Sequence, residues 1–378
     1  MTKYVRREIS DKVLEVQKYY PVTTITGPRQ SGKTSLCRHL FPDYNYVNLE
    51  DLTIRGRAIV DPTGFIDSLG KTAIIDEVQN VPDLLSMIQV RVDENPDLRF
   101  ILTGSSNFSL LHRMTQSLAG RVALFTLLPF SLKEMTAEEK SVPTWKLLSR
   151  GQYPGVIVNG IPESIFYSNY YSTYVERDVR DILRIKNIMR FDTFVRLLAA
   201  RVGSEFNASQ IAKETGVSAP TVSEWLSILD ASYITFTLKP YFANLSKQLT
   251  KMPKVYFYDS GLLCYLLGID TEMQFNSSTQ RGAIFENMAI SELIKNQYNK
   301  AKIPNINFYR ERSGKEVDAM VKTSDGIHLY EIKAGSTFKP EFVVNMAYVS
   351  DLLSESSTRT VIYDGPTSAP LLMNIRDI

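Results

Sequence analysis

Residues 27–34 carry side chains of the types that bind nucleotide phosphates, because they fit the pattern G-x-x-x-x-G-K-[ST]. Residues 22–26 before them predict a buried parallel strand, and residues 35–40 predict a helix. In that setting glycines let the backbone turn so that several N–H groups point at one anion. Lys33 would then reach the β- and γ-phosphates of ATP, and Thr34 would bind Mg²⁺. The expected nucleotide-contacting residues are Gly27, Pro28, Arg29, Gln30, Ser31, Gly32, Lys33, Thr34 and Ser35.

A second apolar strand ends in two acids, Asp76 and Glu77, within the run Ala-Ile-Ile-Asp-Glu. Asp76 would hold Mg²⁺, directly or through water, and Glu77 would polarise the attacking water as a general base. Taken alone, such a dipeptide more often marks a strand that ends in a solvated turn. The phosphate-binding pattern before it favours the catalytic interpretation.

A third strand, at residues 99–103, is followed by Gly104, Ser105, Ser106 and Asn107. Ligands of open α/β sheets bind beyond the carboxyl ends of the strands, so one of these polar side chains could position the water against the γ-phosphate. An ordinary Gly-Ser-Ser loop accounts for the same residues equally well.

Phosphoryl transfer also gains from a cation close to the developing charge, supplied in cis or by a neighbouring subunit. Arg113, Arg121 and Arg177 are candidates, although a surface salt bridge is the more common role for any one of them. Four tyrosines recur at helical spacing just upstream of Arg177, which predicts packing or a subunit interface. They are Tyr167, Tyr170, Tyr171 and Tyr174.

The composition is that of a globular protein with several cores. The chain has 378 residues, 44% of them hydrophobic and 22% charged, and its length predicts two or three domains. We expect a cytoplasmic protein with no membrane partner, because no apolar run approaches the ~18 residues of a spanning helix and no secretory h-region is evident. Two cysteines and three histidines give no disulfide framework and no zinc spacing. Since the net charge is only +2, binding of nucleic acid would need a local basic patch.

Residues 207–226 fit a helix-turn-helix pattern. Ala208 or Ser209 is expected to cap the first helix, Gly216 to permit the turn and Ser218 to cap the second helix. Strands expected at 233–238 and 255–258 would complete a winged helix. Lysines of the wing would suit DNA phosphates; they are Lys239, Lys247, Lys251 and Lys254. The front of the second helix offers no Arg, Lys or Asn for reading bases, so a protein-binding or lid role stays equally open.

The C-terminal part carries acids where strands are expected to end. Asp318 precedes Glu331 by thirteen residues, and Lys333 lies two residues further on. This D…ExK spacing resembles the PD-(D/E)xK nuclease superfamily, and Glu286 matches the helical acid that many such folds add. Glu331 and Lys333 share one face of a strand. Two carboxylates could bind Mg²⁺ while the lysine activates water, so Glu286, Asp318 and Glu331 are candidate metal ligands. Surface hairpins with the same residues, and inactive binding modules of this fold, remain alternatives.

The order of the motifs resembles that of prokaryotic AAA-type ATPases with a C-terminal domain of unknown function. The shared motifs are GPRQSGKT, IIDEVQ, LTGSSN, LAGR, the turn GQYPG and a YxERDV helix. The resemblance implies ATP binding and hydrolysis, and it implies a charge-sensing or finger role for Arg121.

Together these patterns predict an α/β protein of three parts: a P-loop AAA-type ATPase domain at residues 1–185, a winged helix at 186–270 and a nuclease-like domain at 271–378. The predicted function is Mg²⁺-dependent ATP hydrolysis coupled to action on DNA, with ATP and Mg²⁺ as ligands and a homo-oligomer as a candidate assembly. The alternative is an ATP-dependent switch whose nuclease-like domain is inactive and binds protein. A small-molecule kinase fits least, because it leaves the later domains without a role.

Overall fold

The chain folds into two compact units, described here from a computed structural model that covers residues 4–105, 118–174, 188–241, 251–367 and 370–378. The first unit comprises Met1–Phe130, Ala231–Tyr233 and Gln297–Lys302. The second comprises Ser131–Asp230, Ile234–Asn296 and Ile303–Ile378. The predicted boundaries after residues 185 and 270 therefore do not coincide with boundaries of compact units. The division into three domains stays a prediction.

The first unit is built on a five-stranded sheet in which every neighbouring pair is parallel. Its strand order is β2-β3-β4-β1-β5, so β4 lies between β1 and β3. Its strands are β1 (Val22–Gly27), β2 (Asn45–Asn48), β3 (Thr72–Asp76), β4 (Arg99–Ser105) and β5 (Val122–Thr126). Its helices are α1 (Ser10–Val16), α2 (Lys33–Leu40), α3 (Leu52–Val60), α4 (Pro62–Ser68) and α5 (Leu84–Glu94), with a 3₁₀ turn at Val78–Asn80.

Side chains alternate across this sheet and form two separate cores. Phe100 and Leu102 pack into one core, whereas Ile101 between them packs into the other. This alternation follows from the two-residue period of a strand. Because both faces are covered, the strands read as continuous apolar runs, as the sequence predicts for a parallel sheet.

The second unit contains a seven-stranded mixed sheet of order β12-β11-β10-β9-β8-β6-β7. Its strands are β6 (Thr235–Pro240), β7 (Lys254–Phe257), β8 (Ile306–Arg310), β9 (Glu316–Thr323), β10 (Gly326–Lys333), β11 (Ser357–Tyr363) and β12 (Leu372–Asn374). Its helices are α6 (Ala137–Lys140), α7 (Thr144–Arg150), α8 (Pro154–Ile157), α9 (Glu163–Tyr170), α10 (Ile188–Ala200), α11 (Ala208–Thr215), α12 (Ala219–Ala231), α13 (Ser260–Leu266), α14 (Glu272–Ser277), α15 (Arg281–Asn299) and α16 (Val344–Leu352). Shorter 3₁₀ turns lie at Leu132–Glu134, Pro340–Val343 and Ile375–Asp377.

The predicted helix-turn-helix segment forms two helices, α11 and α12, separated by Gly216. Asn207 caps α11 by accepting a hydrogen bond from the Gln210 N–H at 3.0 Å, so the expectation that Ala208 or Ser209 would do so is wrong. Asn is among the strongest capping residues, which explains why α11 begins after Asn207. Ser218 accepts from the Thr221 N–H at 3.2 Å, in agreement with its predicted capping role.

The two expected wing strands, β6 and β7, pair as an antiparallel hairpin. However, β6 also pairs in parallel with β8 of the C-terminal segment, at Lys239–Asn307 and Pro240–Phe308. The hairpin is therefore part of the large sheet, and the winged-helix assignment stays a prediction. Across the described ranges, no helix is long and apolar enough to span a membrane.

Candidate functional site

The phosphate loop leaves β1 at Gly27 and enters α2 after Gly32. Gly27 has a φ of 144°, and a Cβ atom there would lie 2.1 Å from the Leu127 carbonyl oxygen, so no other residue fits without moving the backbone. Gly32 has a left-handed φ of 95° at the N-cap of α2. Gln30 also has a positive φ, of 61°, and it is exposed. These conformations bend the loop over the N-terminus of a helix, the arrangement that binds anions.

Lys33 lies inside this loop. Its ammonium donates hydrogen bonds to the carbonyl oxygens of Gly27 at 3.0 Å and Pro28 at 2.8 Å. Burial lowers the pKa of Lys33 to about 8, although the carboxylates of Glu77 and Asp76 partly offset the effect. A buried cation held at the mouth of a helix N-terminus suits a phosphate group.

Asp76 ends β3 beside Thr34. Its Oδ2 accepts hydrogen bonds from the Thr34 hydroxyl at 2.9 Å and from the Tyr46 hydroxyl at 2.8 Å, and its Oδ1 accepts from the Thr103 hydroxyl. A hydroxyl and a carboxylate in contact provide the oxygen ligands that Mg²⁺ prefers. The residues predicted to hold Mg²⁺ with ATP are therefore adjacent.

Glu77 follows Asp76 in a left-handed conformation, with a φ of 57°, that non-glycine residues rarely adopt. Its Oε2 accepts hydrogen bonds from the Gln79 side chain and from the Ser105 N–H, the latter at 3.4 Å. Gln79 also donates to the Ser105 hydroxyl at 3.1 Å. Because β4 lies between β1 and β3, the tip of β4 meets both the phosphate loop and the acids.

The other residues of the predicted loop differ in accessibility. Ser35 is exposed, whereas Ser31 is fully buried. The Ser31 hydroxyl has no hydrogen-bond partner among the described residues. The predicted contacts of Pro28, Arg29 and Ser35 with nucleotide stay predictions. Five further candidates lie outside the described residues: Ser106, Asn107, Arg113, Arg177 and the wing residue Lys247.

Arg121 lies at the opposite end of the sheet from the phosphate loop. Its carbonyl oxygen accepts from the N–H of Val22, the first residue of β1, whereas the loop follows the last residue of that strand. At 3.3 Å per residue the length of β1 puts about 17 Å between them. Arg121 instead forms a bidentate pair with Asp93, at 2.5 and 2.8 Å. Arg121 therefore does not reach the phosphate loop of its own unit, because it immediately precedes β5 and lies at the amino ends of the parallel strands.

Sequence patterns did not indicate several other residues that support the loop. Arg7 donates to the Ser31 carbonyl oxygen, and the Tyr46 and Thr103 hydroxyls reach Asp76. The Tyr233 hydroxyl lies 3.1 Å from the hydroxyl of Thr26, which immediately precedes Gly27. They come from distant parts of the chain, so no local motif could have identified them. The tyrosines at helical spacing are buried, which agrees with the predicted packing role.

A second group of charged residues lies in the second unit, and we call it the carboxylate–lysine cluster. Its members are Glu286, Glu316, Asp318, Glu331, Lys254 and Lys333. Lys333 lies 2.7 Å from Glu331 Oε1 and 3.7 Å from Asp318 Oδ2. Asp318 Oδ2 also accepts from the Ile332 N–H at 2.7 Å. The predicted D…ExK residues thus converge.

Lys254 joins Glu286 to the same cluster. Its ammonium lies 3.6 Å from Glu286 Oε1 and 2.5 Å from Glu316 Oε1, and the side chain is 3% exposed. Tyr256 donates to Glu286 at 2.6 Å. The expectation that Lys254 would contact DNA phosphates from a wing is wrong, because it is buried in ion pairs. The sequence did hold a signal for Glu316, which shares a strand face with Asp318.

Burial and mutual repulsion shift the pKa values of the carboxylates in the cluster. Burial, and then the Asp318 charge, raise the pKa of Glu286 and of Glu331 to about 7. Burial alone would lower the pKa of Lys333, but the Asp318 and Glu331 carboxylates raise it overall. Glu331 Oε2 is buried and has no hydrogen-bond partner among the described residues.

A metal at this cluster stays a prediction. Across the described parts of the chain, no group of three or more His, Cys, Asp or Glu side chains is arranged to hold a metal ion. The two lysines lie against the carboxylates that would have to coordinate it. The roles predicted for Glu286, Asp318 and Glu331 as metal ligands therefore have no direct support in the geometry.

Comparison with known families agrees with the geometry of the first unit. Residues 19–136 match a family model described as an AAA domain. Residues 143–273 and 281–377 match two different domains of unknown function. The match and the loop geometry identify residues 19–136 as an AAA-type P-loop domain.

The chain is also similar to uncharacterized proteins of other organisms. A protein of Mycobacterium tuberculosis is 27% identical over 372 residues, covering 97% of this chain and 81% of that protein. One of Methanocaldococcus jannaschii is 22% identical over 357 residues, covering 84% of this chain and 75% of that protein. Among solved structures, the chain is similar to the Walker-type ATPase of Pyrococcus abyssi, with 17% identity, a TM-score of 0.46 and coverage of 69% of this chain and 95% of that one.

Proposed function

We propose that this protein is an Mg²⁺-dependent ATPase that couples its nucleotide state to action on DNA. The observation that carries the ATPase part is the contact of Thr34 with Asp76 at 2.9 Å beside the buried ammonium of Lys33. Two side chains of α2 and one of β3 are thereby joined at the carboxyl edge of a parallel sheet, where such folds bind ligands.

Each side chain has a defined task in this proposal. Lys33 and the loop N–H groups bind the β- and γ-phosphates of ATP. Thr34 and Asp76 would hold Mg²⁺, which would neutralise charge on the phosphates during transfer. Glu77 accepts a proton from the attacking water. Gln79 and Ser105 hold the Glu77 carboxylate in place through their hydrogen bonds.

The nucleotide-binding part is tested by titrating the protein with MgADP. Lys33→Ala removes the cation that contacts phosphate, so we expect affinity to fall at least about tenfold. The matched control is Lys71→Ala, because Lys71 is an exposed lysine of the same unit that pairs only weakly with Asp97 at 3.3 Å. Wild-type affinity in Lys33→Ala would refute the assignment of the loop.

A second candidate function is Mg²⁺-dependent cleavage of nucleic acid by the carboxylate–lysine cluster. The convergence of Asp318, Glu331 and Lys333 favours it, together with a buried Glu331 oxygen that has no hydrogen-bond partner within the described part of the chain. Asp318 and Glu331 would hold Mg²⁺, which would polarise the phosphodiester. Lys333 would orient the attacking water. The internal pairing of the carboxylates with Lys254 and Lys333 favours the alternative, an inactive domain that binds protein in an ATP-dependent switch.

Cleavage of a supercoiled plasmid with Mg²⁺ or Mn²⁺ separates these two possibilities. If the cluster is catalytic, Asp318→Ala and Lys333→Ala should each abolish cleavage in protein whose circular dichroism shows that it is still folded at the assay temperature. Lys322→Ala is the control, because Lys322 lies on the same strand as Asp318 but is exposed and pairs with Glu355. No cleavage by wild type, or equal cleavage by the variants, would support the switch.

A further inference from the structure

Arg7 is a buried arginine behind the phosphate loop. It is 4% exposed, and it precedes α1 in a part of the chain outside the matched AAA domain. Its guanidinium donates to the Ser31 carbonyl oxygen at 2.9 Å and to the Leu128 carbonyl oxygen at 2.7 Å. The guanidinium carbon lies 4.7 Å from the centre of the Phe130 ring. These contacts fix the side chain in one orientation.

The bond to Ser31 controls the direction of the next N–H group. No peptide bond in the described residues is cis, and in a trans peptide the C=O and the following N–H point in opposite directions. When Arg7 holds the Ser31 carbonyl oxygen, the Gly32 N–H must point away from Arg7. That N–H belongs to the N-cap residue of α2, next to Lys33.

Arg7 also adds a positive charge on the far side of the loop. A guanidinium stays protonated under all ordinary conditions. Because the site around it is buried, its field is screened less than that of a surface arginine. It therefore adds to the favourable potential for an anion at the N-terminus of α2.

We infer that Arg7 is a positioning residue of the nucleotide site, which holds the Ser31–Gly32 peptide so that the loop presents its N–H groups to the phosphates. Arg7 touches the loop backbone, so it would act on the nucleotide through the loop. The inference rests on the proposed function, because it requires that the loop bind nucleotide phosphates. It adds a residue that the G-x-x-x-x-G-K-[ST] pattern does not contain.

The test compares the binding of MgADP and of inorganic pyrophosphate to wild type, Arg7→Met and Arg7→Lys. We expect Arg7→Met to weaken both ligands by the same factor, about tenfold or more, because a charge-assisted hydrogen bond to the loop is lost. Arg7→Lys keeps the charge but cannot bridge two carbonyl groups, so its affinity for both ligands should lie between those of Arg7→Met and wild type. The matched control is Arg6→Met, since Arg6 is exposed and pairs with Asp11.

The outcomes separate this inference from the proposed function. If wild type binds MgADP and both Arg7 variants bind it equally well, the inference is overturned and the ATPase proposal stands. A loss for MgADP without a loss for pyrophosphate would also overturn it, because the effect would then not act through the phosphate loop. If wild type binds neither ligand, the proposed function itself fails. If Arg7→Met does not fold, Arg7→Lys is the test by itself. Wild-type affinity of Arg7→Lys for both ligands would then overturn the inference.

Discussion

Lys254 lies between two carboxylates in the interior of the second unit, so its charge matters for stability. Its ammonium pairs with Glu316 at 2.5 Å and with Glu286 at 3.6 Å. Removing one partner of a buried ion pair leaves an uncompensated charge, which costs more than the intact pair contributes. Arg310 also pairs with Glu316, at 3.3 Å, so this carboxylate would keep one cation.

We therefore predict that Lys254→Met destabilises the protein by about 3 kcal/mol. The double variant Lys254→Met with Glu286→Gln should recover part of the loss, since Glu286 is the carboxylate whose ion pair with Lys254 is removed. Urea unfolding midpoints measure both effects. Lys251→Met is the control, because Lys251 is exposed and only three residues away. A midpoint for Lys254→Met equal to that of wild type would contradict the description of the pair.

Individual residues were predictable where a local pattern fixes their chemistry. Lys33, Thr34, Asp76 and Glu77 meet as their motifs predict. Arg121 does not lie with them, because a motif does not say at which end of the strands a residue will be placed. Arg7 has no motif, and its role depends on a carbonyl oxygen that is distant in sequence.

For helices and strands, the sequence predicted where each element lies better than it predicted which strands pair with one another. The β-branched run before Gly27 forms β1, and the acids follow β3 as expected. The predicted hairpin of β6 and β7 exists, but its pairing with β8 depends on residues nearly seventy positions later. Such long-range pairing has no local signature, because any exposed strand edge can accept a partner.

The order of strands also places the carboxyl end of β4 at the phosphate loop. Ser105 is paired in register with Gly27, and Thr103 with Ile25, so the end of β4 lies directly beside the start of the phosphate loop. A water-positioning role for Ser105 was one of two interpretations that the sequence left open. Its hydrogen bonds to Glu77 and Gln79 support a role in holding the base.

At the scale of the whole molecule, the chain combines an AAA-type P-loop domain with a larger unit that has its own charged cluster. The sequence predicted three successive domains, whereas the compact units interleave along the chain, with Ala231–Tyr233 and Gln297–Lys302 joining the first. Length and composition cannot reveal such exchanges, because they report how many residues are available and not which segments pack together.

The proposed function requires that the first unit hydrolyse ATP with Glu77 as the base. The decisive measurement is phosphate release from MgATP by wild type and by Glu77→Gln, with ATP binding measured on the same preparations. Glu77→Gln removes only the proton acceptor, so we predict that it binds ATP as wild type does but releases phosphate at least about a hundredfold more slowly. Phosphate release by Glu77→Gln at the wild-type rate would contradict the role of Glu77 as the base.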